Sequence, residues 1–221
     1  MENEKKNQSG PEAALEAVLP GEIEKRSFAI IGQELKERGI VLDPETAPVV
    51  KRVIHTTADF DYAENLVFSP GAMEAAKEAI RQGAPVVTDT QMAKAGINKK
   101  ALARFGCPVY CFMSDPDVAE AAARQGTTRA WASMDKAAAL GLSGIYAIGN
   151  APTALIRLRQ LMMEGAVRPR LIIAAPVGFV NVVQAKELIV SGPAPYIAAR
   201  GRKGGSNVAA AVCNALLYDV Y

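Results

Sequence analysis

Five short runs of aliphatic and β-branched residues, at 85–89, 109–113, 144–148, 171–175 and 196–199, alternate with segments whose apolar residues follow helical spacing. None of the runs alternates polar with apolar residues. That pattern restricts the chain to strands buried on both faces, a parallel sheet covered by crossover helices at 115–125, 134–140, 151–164 and 180–190. A helical lead-in precedes the sheet. Phe28, Ile31 and Leu35 recur through 22–38 and Gly39 closes the pattern; Asp43-Pro44 announces a second helix carrying Val49, Val50, Val53 and Ile54; Ser69-Pro70 opens a third that ends near 82–83.

With 221 residues, half of them hydrophobic, the chain can bury one substantial core, and we expect a single α/β domain over 21–221 behind a flexible tail at 1–20. A net charge of +2 with dispersed basic residues argues against a nucleic-acid partner. No apolar run is long enough to span a membrane and no h-region opens the chain, so the expected location is the cytoplasm, without a membrane partner. Cys107, Cys111 and Cys213 are odd in number and lack paired spacing or a nearby histidine, which argues for reduced, packed thiols and against a metal site.

Ligands of a parallel sheet sit beyond the carboxyl ends of its strands. Five polar or turn-forming segments fall there: 88–91, which includes Thr88 and Asp89; 114–115; 149–153, beginning Gly149-Asn150; 176–179; and the loop that starts at Arg200. That loop, Arg200-Gly201-Arg202-Lys203-Gly204-Gly205-Ser206-Asn207, runs into the apolar helix pattern that begins at Val208. Glycines let backbone approach a ligand, Ser or Asn caps the following helix, and the free amides favour negative charge. Walker spacing and a glycine triplet after the first strand are both missing, so the anion need not be a nucleotide. The competing reading is a sharp turn with solvated charges.

His55 is the only histidine. At about 100° per residue it points away from the face formed by Val49, Val50, Val53 and Ile54. It is either a solvated surface residue or one that looks into a site or a subunit interface. Imidazole suits proton transfer near neutrality, whereas no Ser-His-acid set or metal-ligand cluster can be argued from spacing. Arg26-Ser27 opens the first helix, and Arg129 follows a helix stop at Gly126; each arginine either nears an anion or is solvated. Asp89 either meets the ligand or caps the next short helix, and Asn150 begins either a ligand-facing helix start or a plain cap.

Taken in order, the segments "IEKRSFAII" at 23–31, His55, "FSP" at 68–70, "DTQM" at 89–92, "IGNAPTAL" at 148–155, "PVGFV" at 176–180 and "RGRKGGS" at 200–206 resemble the precorrin-8X methylmutase family of cobalamin biosynthesis. The resemblance runs from about Ile23 to Leu217. It implies a Rossmann-like three-layer α/β/α fold with a mostly parallel, five-stranded sheet, assembled as a homodimer with its site at or near the interface. It also implies a cofactor-independent isomerase that moves a methyl group from carbon 11 to carbon 12 of a corrinoid tetrapyrrole, with His55 at the position of the catalytic acid. A corrinoid is a large apolar ring fringed with carboxylates. Arg26, Arg129, Arg200, Arg202 and Lys203 would supply a cationic edge, and Ser27, Thr88 and Ser206 hydrogen-bond donors. One run departs from the family: Gln184-Ala185-Lys186 replaces a frequent Glu-Ser-Lys, leaving Lys186 available. A non-catalytic corrinoid carrier is the alternative from another class, and a nucleotide-binding oxidoreductase would rest on the sheet type alone.

Overall fold

The computed structural model describes Glu16 and residues 18–220; the tail expected at 1–20 lies largely outside the described residues. The five expected strands form as β2 (Val86–Thr88), β3 (Val109–Tyr110), β4 (Ile145–Ile148), β5 (Leu171–Ala174) and β6 (Tyr196–Ala199). A sixth, β1 (Leu66–Phe68), corrects the count. It lies antiparallel at the edge, with Leu66 opposite Ala199 and Phe68 opposite Ile197, in a sheet ordered β1-β6-β5-β4-β2-β3. The other neighbours are all parallel.

Eleven α-helices frame the sheet among the described residues: α1 (Ile23–Glu37), α2 (Ala47–Thr57), α3 (Tyr62–Asn65), α4 (Ala72–Arg81), α5 (Gln91–Gly96), α6 (Lys99–Arg104), α7 (Pro116–Gln125), α8 (Arg129–Ala139), α9 (Pro152–Met163), α10 (Val182–Val190) and α11 (Ser206–Asp219). Three differ from expectation. Asp43-Pro44 makes a turn, in which Asp43 Oδ1 accepts from the Glu45 amide, and α2 starts later, at Ala47-Pro48. Helix α8 starts earlier than 134 because Thr128 caps it, accepting from the Trp131 amide at 3.1 Å. Helix α6, capped by Asn98, fills a stretch that periodicity leaves blank, after α5, the short helix expected behind Asp89, which Thr90 caps.

Side chains alternate across each strand, so one strand feeds two cores. Ile145, Ala147, Leu171, Ile173, Ile197 and Ala199 join α1, α2, α4, α6 and α11 on one face; Tyr146, Ile148, Ile172, Ala174 and Ala198 join α7 to α10 on the other. This is the three-layer arrangement read from the runs. Counted from β2, the parallel strands follow the doubly wound order 2-1-3-4-5, whose ligand crevice falls between the first and third strands, here β2 and β4. No helix among the described residues is long and apolar enough to cross a membrane.

Candidate active site

The crevice between β2 and β4 is already filled by the chain's own carboxylate. Asp89, fully buried at the end of β2, accepts the amides of Gly149 at 2.8 Å, Asn150 at 2.8 Å and Ala151 at 2.6 Å, just ahead of α9. Burial raises its carboxyl above the ordinary value, and the three amides oppose that. The carboxylate is taken up by these amides and caps the approach to α9, whereas the next short helix, α5, is capped by Thr90. Thr88 is also fully buried, with its hydroxyl directed at the carbonyls of Thr90 and Tyr110. Asn150 contributes its amide to Asp89 and leaves its side chain exposed.

Loop 200–206 lies tight against its neighbours. A Cβ on Gly204 would come within 2.2 Å of the Ala175 carbonyl oxygen, and one on Gly149 within 2.7 Å of Ser206 Cα, so the turns after β4, β5 and β6 interlock only because these positions carry none. Ser206 does not cap α11. Gly205 occupies the cap position, and the Ser206 hydroxyl pairs with Thr90 Oγ1 at 2.8 Å.

The antiparallel strand β1 decides what faces this loop. Pairing with β6 draws the α2–α3 segment alongside, where the Arg200 amide donates to the Asn65 carbonyl and Lys203 Nζ reaches Asp59 and Asp61 at 2.6 and 2.5 Å. Lys203 holds the Asp59 carboxyl below its ordinary value. Asp59 follows His55 by four residues, so the last turn of α2 is fastened to the basic loop.

His55 is exposed, opposite the buried Val49, Val50, Val53 and Ile54. Its ring stacks on Phe28 of α1, centroids 5.2 Å apart and planes 23° from parallel. Arg52 joins this group: its guanidinium lies 4.7 Å from the Phe28 centroid and 5.2 Å from that of Tyr218, and it bonds Glu24 at 3.0 Å. That bond keeps the Glu24 carboxyl below its ordinary value. A hollow of about 250 Å³ adjoins the stack, lined in part by Phe28, Lys51, Arg52 and Tyr218. In the sequence Phe28 carries the helical spacing of a core residue, and only the fold brings it to His55. The available signal was Glu24, one turn before it on a polar face.

The expected cations divide by partner. Arg26 pairs with Glu16 at 2.7 Å, Arg200 grips Glu187 through two nitrogens at 2.9 and 2.6 Å, and Lys203 holds two aspartates. Arg202 lies 5.3 Å from the Phe179 ring centroid, and neither it nor Arg129 has a carboxylate partner among the described residues. Arg129, first residue of α8, belongs to the helical layer opposite α2. Ser27 donates to the Ile23 carbonyl within α1. Beside Arg202, Phe179 and Val180 are 81% and 78% exposed, an apolar surface at the rim of the sheet. Lys186 is not available to a ligand: it is fully buried beneath the loop, while Gln184 is exposed and Ala185 sits in the apolar core.

An exposed imidazole on an aromatic ring, on a helix whose end is tied to a cationic glycine-rich loop, suits a large anionic ring better than a nucleotide. Comparison with known proteins agrees. The family model for precorrin-8X methylmutase matches residues 22–219. Cobalt-precorrin-8 methylmutase of Salmonella typhimurium is 45% identical over 205 residues, covering 91% of this chain and 96% of that protein. The enzyme of the same description from Priestia megaterium is 44% identical, covering 90% of this chain and 88% of its own. A crystal structure of precorrin-8x methyl mutase from Thermus thermophilus superposes with a TM-score of 0.83 at 41% identity, covering 90% of this chain and 95% of that one. The chain belongs to the precorrin-8X methylmutase family.

Proposed function

We propose that the chain catalyses the 1,5-sigmatropic shift of a methyl group from carbon 11 to carbon 12 of precorrin-8 or cobalt-precorrin-8, giving hydrogenobyrinate or cobyrinate. The observation that carries this reading is His55, exposed on the Phe28 ring at the end of α2 and fastened through Asp59 and Lys203 to a loop rich in cations. The migrating methyl stays within one molecule, so the reaction needs no net electron donor or acceptor. His55 lends a proton to the conjugated ring, or hydrogen-bonds a ring nitrogen, and so lowers the barrier; one well-placed acid contributes about two to four powers of ten. Apolar walls and fixed carboxylates hold the ring near the reactive geometry and exclude water.

Arg202 and Arg129 are the cations ready to take substrate carboxylates, because no side chain of the described protein neutralises them. Arg26, Arg200 and Lys203 join the cationic edge by exchanging an internal carboxylate for one on the substrate, with Ser27, Asn150 and Ser206 as polar neighbours. Residues 21–221 work as one cytoplasmic domain. The cobalt-bearing ring is the preferred substrate, since the relatives from Priestia megaterium and Salmonella typhimurium carry that ion in their description. Incubating the protein with each ring tests this directly. A changed absorption spectrum, faster with the cobalt form, is expected; an unreacted spectrum with the ring bound would make the protein a carrier.

The site is completed by a second copy. The hollow beside Phe28, about 250 Å³, falls short of the roughly 300–1,000 Å³ typical of ligand pockets, and a tetrapyrrole needs cover from both sides. Light scattering is expected to give twice the 23.4 kDa of one chain. A single-chain mass at assay concentration would overturn the shared site.

A further inference from the structure

We infer that Lys186 is a positioning residue for substrate carboxylates: from beneath the loop it binds the carbonyls of Gly201 and Lys203, and so turns the amides of Arg202 and Gly204 toward the ligand side. The inference rests on the corrinoid reading above. Its geometry is specific. Lys186, on α10, is fully buried, and its Nζ donates to Gly201 O at 2.9 Å and Lys203 O at 2.7 Å.

In a trans peptide the C=O of one residue and the N–H of the next point in opposite directions, and no peptide bond among the described residues is cis. Fixing the carbonyls of Gly201 and Lys203 inward therefore directs the N–H groups of Arg202 and Gly204 outward. Neither amide has an acceptor among the described residues. Two such amides on a glycine-rich turn form a concave anion site, and Gly201, with φ of 74°, supplies the left-handed conformation the turn requires.

Charge tells the same story. The neighbouring cations Arg200 and Lys203 have acidic partners, and Glu187, next to Lys186 in sequence, is taken by Arg200. Lys186 has no carboxylate partner among the described residues, and burial pulls its ammonium down to about 8. A buried, uncompensated charge is costly. If a strut were all that was needed, a neutral donor would serve with less penalty. The ammonium adds positive potential directly behind the amides that face solvent.

The test compares binding of the carboxylate-bearing product ring with binding of the same ring after its carboxylates are converted to amides, followed by spectroscopic titration. Wild-type protein is expected to prefer the carboxylate form by about ten-fold or more, the scale of one good charge-assisted site. Lys186→Met should reduce that preference to within about three-fold while leaving affinity for the amidated ring unchanged. Lys186→Leu, which likewise has no donor for the two carbonyls, is read in the same way if the methionine variant does not fold.

Full preference retained in either variant overturns the inference, and so does equal weakening toward both rings. Failure of both variants to fold also overturns it, by showing a structural strut. Wild-type protein that binds the ring without preferring carboxylates overturns this inference alone; folded wild-type protein that binds neither ring overturns the functional reading with it.

Discussion

His55→Ala is expected to slow methyl migration by about 10²- to 10⁴-fold in kcat while leaving the protein folded. The stability half of that expectation follows from where the side chain lies. His55 is exposed, and the residues that fasten α2 to the core, Val49, Val50, Val53 and Ile54, are on its other face. The substitution removes one stacking contact with Phe28, worth about 0.5–1.5 kcal/mol, so the melting temperature should move by only a few degrees. The chemical half follows from His55 being the only imidazole in the chain, which leaves no neighbour of the same kind to substitute for it. His55→Gln separates two roles. Glutamine donates a hydrogen bond but no proton, so partial activity in that variant assigns hydrogen bonding to a ring nitrogen, and none assigns proton transfer. Full turnover by the alanine variant would remove His55 as the acid.

The parallel sheet was legible because each of its strands is a short apolar run bounded by turn residues, and such a run has few other ways to be buried. Strand β1 was not. Leu66, Val67 and Phe68 are three residues directly after a helical turn, and they become a strand only by pairing with β6, more than a hundred residues later. The consequence for the site is large, since that pairing brings the end of α2 to the basic loop.

The outward direction of His55 could be read from helical spacing, because it depends on neighbours within two turns. The fate of the charges could not. Arg200 finds Glu187 on a helix of the preceding crossover, and Lys203 finds Asp59 and Asp61 from the far end of the chain. Composition identifies those cations; only the fold identifies which of them are already occupied. Ser206 illustrates the same point, since its spacing resembles a helix cap and its hydroxyl instead meets Thr90, delivered there by β2.

Asp89→Asn is expected to show the opposite signature, a large loss of stability with activity falling as a consequence. The two side chains have nearly the same shape, so the test isolates hydrogen-bond polarity. In the native protein one carboxylate oxygen takes the Gly149 amide and the other takes those of Asn150 and Ala151. Asparagine can keep only one acceptor oxygen, and its NH₂ must then face an N–H group, in a position with no solvent exposure. Leaving a buried donor unsatisfied costs about 1–3 kcal/mol, and more where the bond was to a charge. A loss of about 2–4 kcal/mol corresponds to a melting temperature lower by roughly 5–15 °C for a chain of this size.

The damage should spread to the site, because Gly149 packs directly on Ser206 and Gly205 at the base of the basic loop. KM is therefore expected to rise while His55 chemistry persists in the molecules that remain folded. An unchanged melting temperature in the asparagine variant would mean that Asp89 does not hold the β2–β4 crevice closed. That outcome would reopen the crevice as a place for a ligand, since the carboxylate at 89 is what now occupies the position where a sheet of this strand order accepts one.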